Sequence, residues 1–268
     1  MRAWILIAVL AASACGDKKP PPPKNEFEAF EQAYVVQYET LAKAMRKQGK
    51  EVADKDIPTD YRAVYIGPPG VFVDRKLVAT LPELEAKRAD LVAALDVNAK
   101  LLPTIGLGGP LVTLDLGPAP AATAIQALRL FAGRATSFYL RGVNPEVPTM
   151  ASHLLCGPVT LRDAPSAEPD TVKLSVFLDT GRTWVGLSRV NEYEAILSRP
   201  DGPDVEKLKV VLRQHKTSAF FTDRTDIELA ASAGLARDVL DAFDAACYAG
   251  FLDVAVLLPA QLSARPQL

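Results

Sequence analysis

Two stretches of this chain lying 115 residues apart carry the same apolar spacing: Val112 and Leu114 answer to Ile227 and Leu229, and Ile125 and Leu128 to Leu240 and Phe243. Period-two alternation marks strands and three-to-four spacing marks helices, so the pattern fixes an order of elements as well as a composition. In the first half, Val64 to Ile66, Val71 to Val73 and Leu77 to Ala79 read as short strands joined by turns such as Gly67-Pro-Pro-Gly70. A helix carrying Leu84, Leu91 and Leu95 follows, with Pro82 near its first turn. Then come a strand over 111–116, a helix over 119–132 and a strand over 136–140. The second half repeats this with strands over 172–178 and 183–187, a helix over 204–215, extended segments over 218–222 and 227–229, a helix over 235–249 and a strand over 254–258.

The fold class is therefore α+β: two similar small sheet-and-two-helix domains in tandem, over residues 60–160 and 170–262. Compact α+β domains also reach this order independently, so two readings stand, an internal duplication and two unrelated domains. The proline-containing segment 144–170 is the natural joint, with an edge strand over 153–161 as a possible addition to the first half.

The N-terminus has a different character. Met1 and Arg2 precede about 13 apolar or small residues, Ala3 to Cys15, followed at once by Gly16, Asp17 and two lysines. A membrane-spanning helix takes roughly 20 apolar residues, so this stretch is too short for a permanent span. A basic start, a short apolar core and small residues before a cut point are the parts of a cleaved secretory signal, here residues 1–14. Ala12-Ser13-Ala14-Cys15 resembles the lipobox of bacterial lipoproteins, whose Cys becomes the lipidated first residue. The resemblance implies lipid on Cys15 and a periplasm-facing membrane lipoprotein, and Gly16, where Asp would signal inner-membrane retention, favours the outer membrane over the inner, which stays open. Ordinary secretory cleavage after Ala14, leaving Cys15 a free thiol, is the alternative.

Four prolines over 20–23 make residues 15–24 a stiff polyproline spacer. Phe27, Phe30, Tyr34, Tyr38, Leu41 and Met45 then line one side of an amphipathic helix within 25–55, with Asn25 as its cap, acidic residues early and basic ones late. With 49% hydrophobic and 23% charged residues the remainder can bury a substantial core. A formal charge of -2 and a pI near 5.8 give no general attraction to nucleic acid. If Cys15 carries lipid, Cys156 and Cys247 remain; export permits a disulfide between them, and two separate buried thiols are the other reading.

Ile227-Glu-Leu-Ala, followed by Asp238 to Val256, resembles the closing strand, helix and strand of the periplasmic domain of the ExbD and TolR biopolymer transport proteins. Val239, Asp244, Ala249, Gly250, Val254 and Val256 occupy the places of the family pattern V-x-x-x-x-D-x-x-x-x-A-G and its following V-x-L strand. The resemblance runs over about 172–258, and more weakly over 64–142. It implies a small sheet with two helices on one face, used for contact with an envelope protein or peptidoglycan, and a homo-oligomer is compatible with it. Family members carry an acidic transmembrane helix that couples to proton flow, whereas nothing between Ala3 and Cys15 is acidic.

The inventory for catalysis is thin. His153 and His215 are the only histidines and neither stands at a metal-ligand spacing. Gly106-Leu-Gly-Gly-Pro110 follows a helix and opens a strand, the reverse of a phosphate loop. Asp223, Asp226 and Glu228 are close in sequence, as a weak cation site or acid pair would be, but their spacing suits a solvated loop. The sequence thus gives no catalytic, metal or cofactor residue, and the expected function is a non-enzymatic, lipid-anchored envelope protein accessory to biopolymer transport. The alternatives are a structural envelope lipoprotein unrelated to transport and an envelope hydrolase of unrecognised type.

Overall fold

The computed structural model describes residues 64–67, 70–73, 76–101, 111–114, 116, 119–140, 155–165, 171–190 and 192–266. The signal segment, Cys15, the proline spacer, the helix expected within 25–55, the Gly106–Pro110 turn and His153 lie outside them. The described residues all belong to the compact unit Pro58–Leu268.

The first half runs β1 (Val64–Gly67), β2 (Gly70–Val73), β3 (Lys76–Ala79), α1 (Arg88–Leu101), β4 (Leu111–Leu114), α2 (Ala121–Arg129) and β5 (Ala135–Leu140). After β6 (Leu155–Arg162), the second half runs β7 (Leu174–Asp179), β8 (Arg182–Leu187), β9 (Glu192–Leu197), α3 (Val205–Lys216), β10 (Asp226–Ala231), α4 (Ala236–Ala249) and β11 (Asp253–Val256). Among the described residues these strands form one eleven-stranded sheet, β3-β2-β1-β4-β5-β6-β11-β10-β7-β8-β9. Read outward from β6, the halves have the same order. β1 and β7 each pair antiparallel with the next strand in sequence, and parallel with the strand that follows the next helix.

The fold is α+β, and among the described residues the strands of both expected domains belong to one sheet. The strand expected at the edge of the first half is instead β6 at the centre, antiparallel to β5 and parallel to β11. No local pattern distinguishes an edge strand from one that a second half will cover.

The helices pack on one face. Ile227 and Leu229 of β10, Leu174 and Val176 of β7, and Val112 and Leu114 of β4 join Leu91 of α1, Leu128 of α2, Leu212 of α3 and Phe243 of α4 in a single buried cluster. Phe138 of β5 stands edge-on to both Phe131 and Phe243, with centroids 5.4 Å away in each case, and so ties the halves together. The helix starts meet as well. Ala121 N donates to Gly234 O at 3.1 Å and Ala236 N donates to Ala119 O at 2.7 Å. Ala121 and Ala236 are 115 residues apart, as are Ala119 and Gly234, so the contact is reciprocal in the same offset that the sequence shows.

Local chemistry sets the helix limits. Asp204 accepts from Lys207 N at 3.1 Å to cap α3, and that bond is the main cause holding its carboxyl below the usual range. Gly250 ends α4 at φ 94°, the left-handed conformation that glycine adopts at least cost. Residues 218–222, expected as extended, form a turn. Phe221 N and Thr222 N both donate to Ser218 O at 3.1 Å, and the wound chain buries Phe221 against Phe251. β9 is an addition to the expected elements. In Glu-Tyr-Glu-Ala-Ile-Leu only Ile196 is buried, and an outer strand needs no clean alternation.

The reverse face of the second half is covered by the C-terminal segment. Phe177, Ala230, Ala255 and Leu257 pack there with Leu262. Glu228, 3% exposed, anchors this cover by accepting from Ser175 Oγ (2.7 Å), Ser263 N (2.8 Å) and Ser263 Oγ (2.6 Å). Replacing Ser263 by alanine removes a bond to a buried carboxylate and is expected to cost about 1–2 kcal/mol, read as a lower denaturant midpoint with faster amide exchange over 259–266. An unchanged midpoint would mean that the segment is not held through Glu228.

Candidate functional site

A cavity of about 1000 Å³ lies where the halves meet at β6. Residues flanking the start of β5, the finish of β6 and the starts of β10 and β11 line it, so side chains at element ends border it. Five arginines from five segments reach it: Arg88 begins α1, Arg129 ends α2, Arg134 precedes β5, Arg162 ends β6 and Arg224 precedes β10. Four aspartates accompany them, Asp163, Asp223, Asp226 and Asp253.

Most of these charges hold one another. Arg88 Nη2 donates to Asp163 Oδ2 at 2.6 Å and to Arg129 O at 3.2 Å, which also supplies a donor to the last turn of α2. Arg162 Nε donates to Asp253 Oδ1 at 2.7 Å. Arg224 grips Asp226 with both Nε (2.8 Å) and Nη2 (2.5 Å), and its Nη1 donates to Val172 O at 2.7 Å. Burial alone would raise the Asp226 carboxyl, but the hydrogen bond and charge of Arg224 outweigh it and hold the group below its ordinary value. Arg129 differs: its Nε is buried without a hydrogen-bond partner, and among the described residues its guanidinium makes no ion pair.

A second cavity of about 520 Å³ lies at the opposite ends of β7 and β10, by the start of α4. Asp238 borders it, 8% exposed, with Oδ2 accepting from Leu235 N at 2.7 Å and Oδ1 3.6 Å from Arg237 Nε. A Cβ on Gly234 would sit 2.8 Å from Asp238 Oδ2, so that carboxylate and the positive φ of Gly234 together require glycine there. One turn further along α4, Asp241 is 9% exposed with Oδ1 lacking a hydrogen bond. Burial first, then the charges of Asp238 and Asp244, push its carboxyl up to about 7, against the pull of Arg237 and of Lys209 on α3.

The residues singled out in the sequence do not gather at one place. Asp223 is exposed at the rim of the larger cleft, Asp226 is held by Arg224, and Glu228 faces the C-terminal segment, so the three acids form no cation site. Among the described residues no group of His, Cys, Asp or Glu could hold a metal ion. His215 lies in the last turn of α3, edge-on to Phe221 at 6.5 Å, where burial lowers its pKa against the opposing charges of Glu194 and Glu192. Cys247, on α4, is disulfide-bonded, and β6, which carries Cys156, packs against α4. The Cys156 side chain lies outside the described residues.

Sequence reasoning misses the arginine cleft because its residues are spread from 88 to 224 with no common spacing. The one available signal is the repeat itself, since Arg129 stands 115 residues before Asp244, a basic residue where the other half has an acidic one. Among the described residues no helix is long and apolar enough to cross a membrane. No family model, curated protein or solved structure matches the chain.

Proposed function

We propose that this chain is an envelope lipoprotein, anchored by lipid on Cys15 and facing the periplasm, whose two ExbD/TolR-like halves serve as a non-enzymatic binding scaffold accessory to biopolymer transport. The observation that carries this reading is the pairing of two halves of identical strand order around β6, with a large charged cleft at their junction. Guanidinium–carboxylate pairs fixed to one another give a rigid, polar recognition surface, the property a binding module needs. The repeated offset of 115 residues in sequence and in the helix-start contact supports an internal duplication as the origin of the halves. The same reading pairs Cys156 with Cys247, since lipid would occupy the remaining cysteine of three.

Pull-down of the mature protein from crosslinked membranes tests the proposal. Recovery of an ExbB-like or TonB-like protein, or of peptidoglycan fragments, is the expected result. Intact protein that recovers neither would count against the scaffold reading.

A further inference from the structure

We infer that the arginine cleft at the junction of the halves binds an oxyanionic group, a phosphate or carboxylate, of a ligand larger than the group itself, with Arg129 as the contact residue. This ligand class deepens the scaffold reading, on which it rests. Arg129 carries it. A guanidinium nitrogen buried without an acceptor costs free energy, because its bonds to water are given up and not replaced. The other side chains do not supply that acceptor. Asp163, Asp226 and Asp253 are each engaged by a different arginine, and Asp223 is exposed at the rim.

Among the described lining residues five guanidiniums stand with four carboxylates, three of which are taken up by Arg88, Arg162 and Arg224. The planar fork of an arginine matches two oxygens of a phosphate or carboxylate, and the Arg129 guanidinium, which lines the cleft with no ion pair among the described residues, suits such a group. Arg162 commits only Nε to Asp253, which leaves its two terminal nitrogens for the same ligand. A volume of about 1000 Å³ far exceeds one oxyanion and sits at the upper end of small-molecule sites, so the rest of the ligand also lies within the walls.

Calorimetric titration of the full mature protein in neutral detergent provides the test, with inorganic pyrophosphate, citrate and dihexanoyl phosphatidylglycerol as probes. At least one probe should bind, with affinity falling as salt rises. Arg129→Gln should weaken it by about tenfold or more, the worth of one or two charge-assisted hydrogen bonds, and Arg129→Lys by less. Circular dichroism and the melting temperature identify any variant that has lost its fold, and Arg162→Gln then serves as the second test of the cleft.

Binding of the lipid alone assigns the group to a headgroup, whereas binding of pyrophosphate or citrate assigns it to a soluble or polymer-borne anion; either supports the inference. No binding by any probe, or unchanged binding in folded Arg129→Gln and Arg162→Gln proteins, overturns it. The pull-down distinguishes the two claims. A variant that keeps its envelope partner but binds anions no differently from the parent defeats the anion inference alone, and parent protein that binds anions but recovers no partner defeats the scaffold reading alone.

Discussion

Replacing Cys247 by serine is expected to lower the stability of the mature protein by about 4–5 kcal/mol, the largest effect anticipated for any single change. The proposed bridge to Cys156 would close a loop of roughly 90 residues, and the cost of releasing a loop of that length in the unfolded chain gives this figure. The position of the bridge adds to its effect. Among the described residues β6 alone pairs with strands of both halves, so a link from β6 to α4 fastens the strand that joins the sheet to a helix that covers it. Cys156→Ser should match Cys247→Ser, and the double variant should lose no more than either, because all three open the same loop. The parent should show no reactive thiol from this pair when denatured without reductant. Two titratable thiols there, or single variants with unchanged melting temperatures, would contradict the pairing.

The second large effect concerns pH. Asp241 is nearly buried, and its carboxyl is pushed up to about 7 by burial and by Asp238 and Asp244. An acid whose pKa is raised on folding keeps its proton in the folded state after the unfolded chain has released it. From about pH 4 to about pH 7 the folded state therefore binds more protons, and this group's contribution to stability falls as pH rises. Moving a carboxyl from about 4 in the unfolded chain to about 7 in the fold corresponds to roughly 4 kcal/mol lost by pH 8. Asparagine keeps the shape and removes the charge. Asp241→Asn should thus exceed the parent in stability by about 2–4 kcal/mol at pH 8, with the gap closing towards pH 4. Asp226 and Asp204, whose carboxyls are lowered, move stability in the other direction, losing their contribution as pH falls, and they cancel when variant and parent are compared at each pH. A variant no more stable than the parent at pH 8 would contradict this environment for Asp241.

Much of the fold can be read from single elements. The helix over 235–249 is legible because Val239, Leu240 and Phe243 mark its inner face and Gly250 its stop, and both are found. The hairpin of β7 and β8 is legible from its apolar runs and the intervening turn. β6 is legible as a strand but its neighbours are not. Whether β11 lies beside it is decided by how the second half docks, and no residue of β6 records that. β9 and the 218–222 turn escape for a different reason, since few buried side chains in the first and local hydrogen bonds in the second decide their conformation.

The site is less legible than the fold. Arg88, Arg129 and Arg162 are ordinary surface-type residues at the ends of separate elements, and only the assembled sheet brings them to one cleft. Asp238 and Asp241 look in sequence like solvated residues near a helix start. They are buried because α4 is covered on several sides, by α2, α3 and the sheet. Long-range assembly, which leaves no local spacing, thus produces both the charged cleft and the raised carboxyl.

A role as a lipid-anchored scaffold at a membrane is tested most directly by the intact mass of the mature chain extracted from membranes. The expected result is a chain beginning at Cys15 with the added mass of a diacylglyceryl group, together with loss of processing and of the acyl mass in Cys15→Ser. A mature chain with unmodified Cys15, recovered in the soluble fraction, would contradict it.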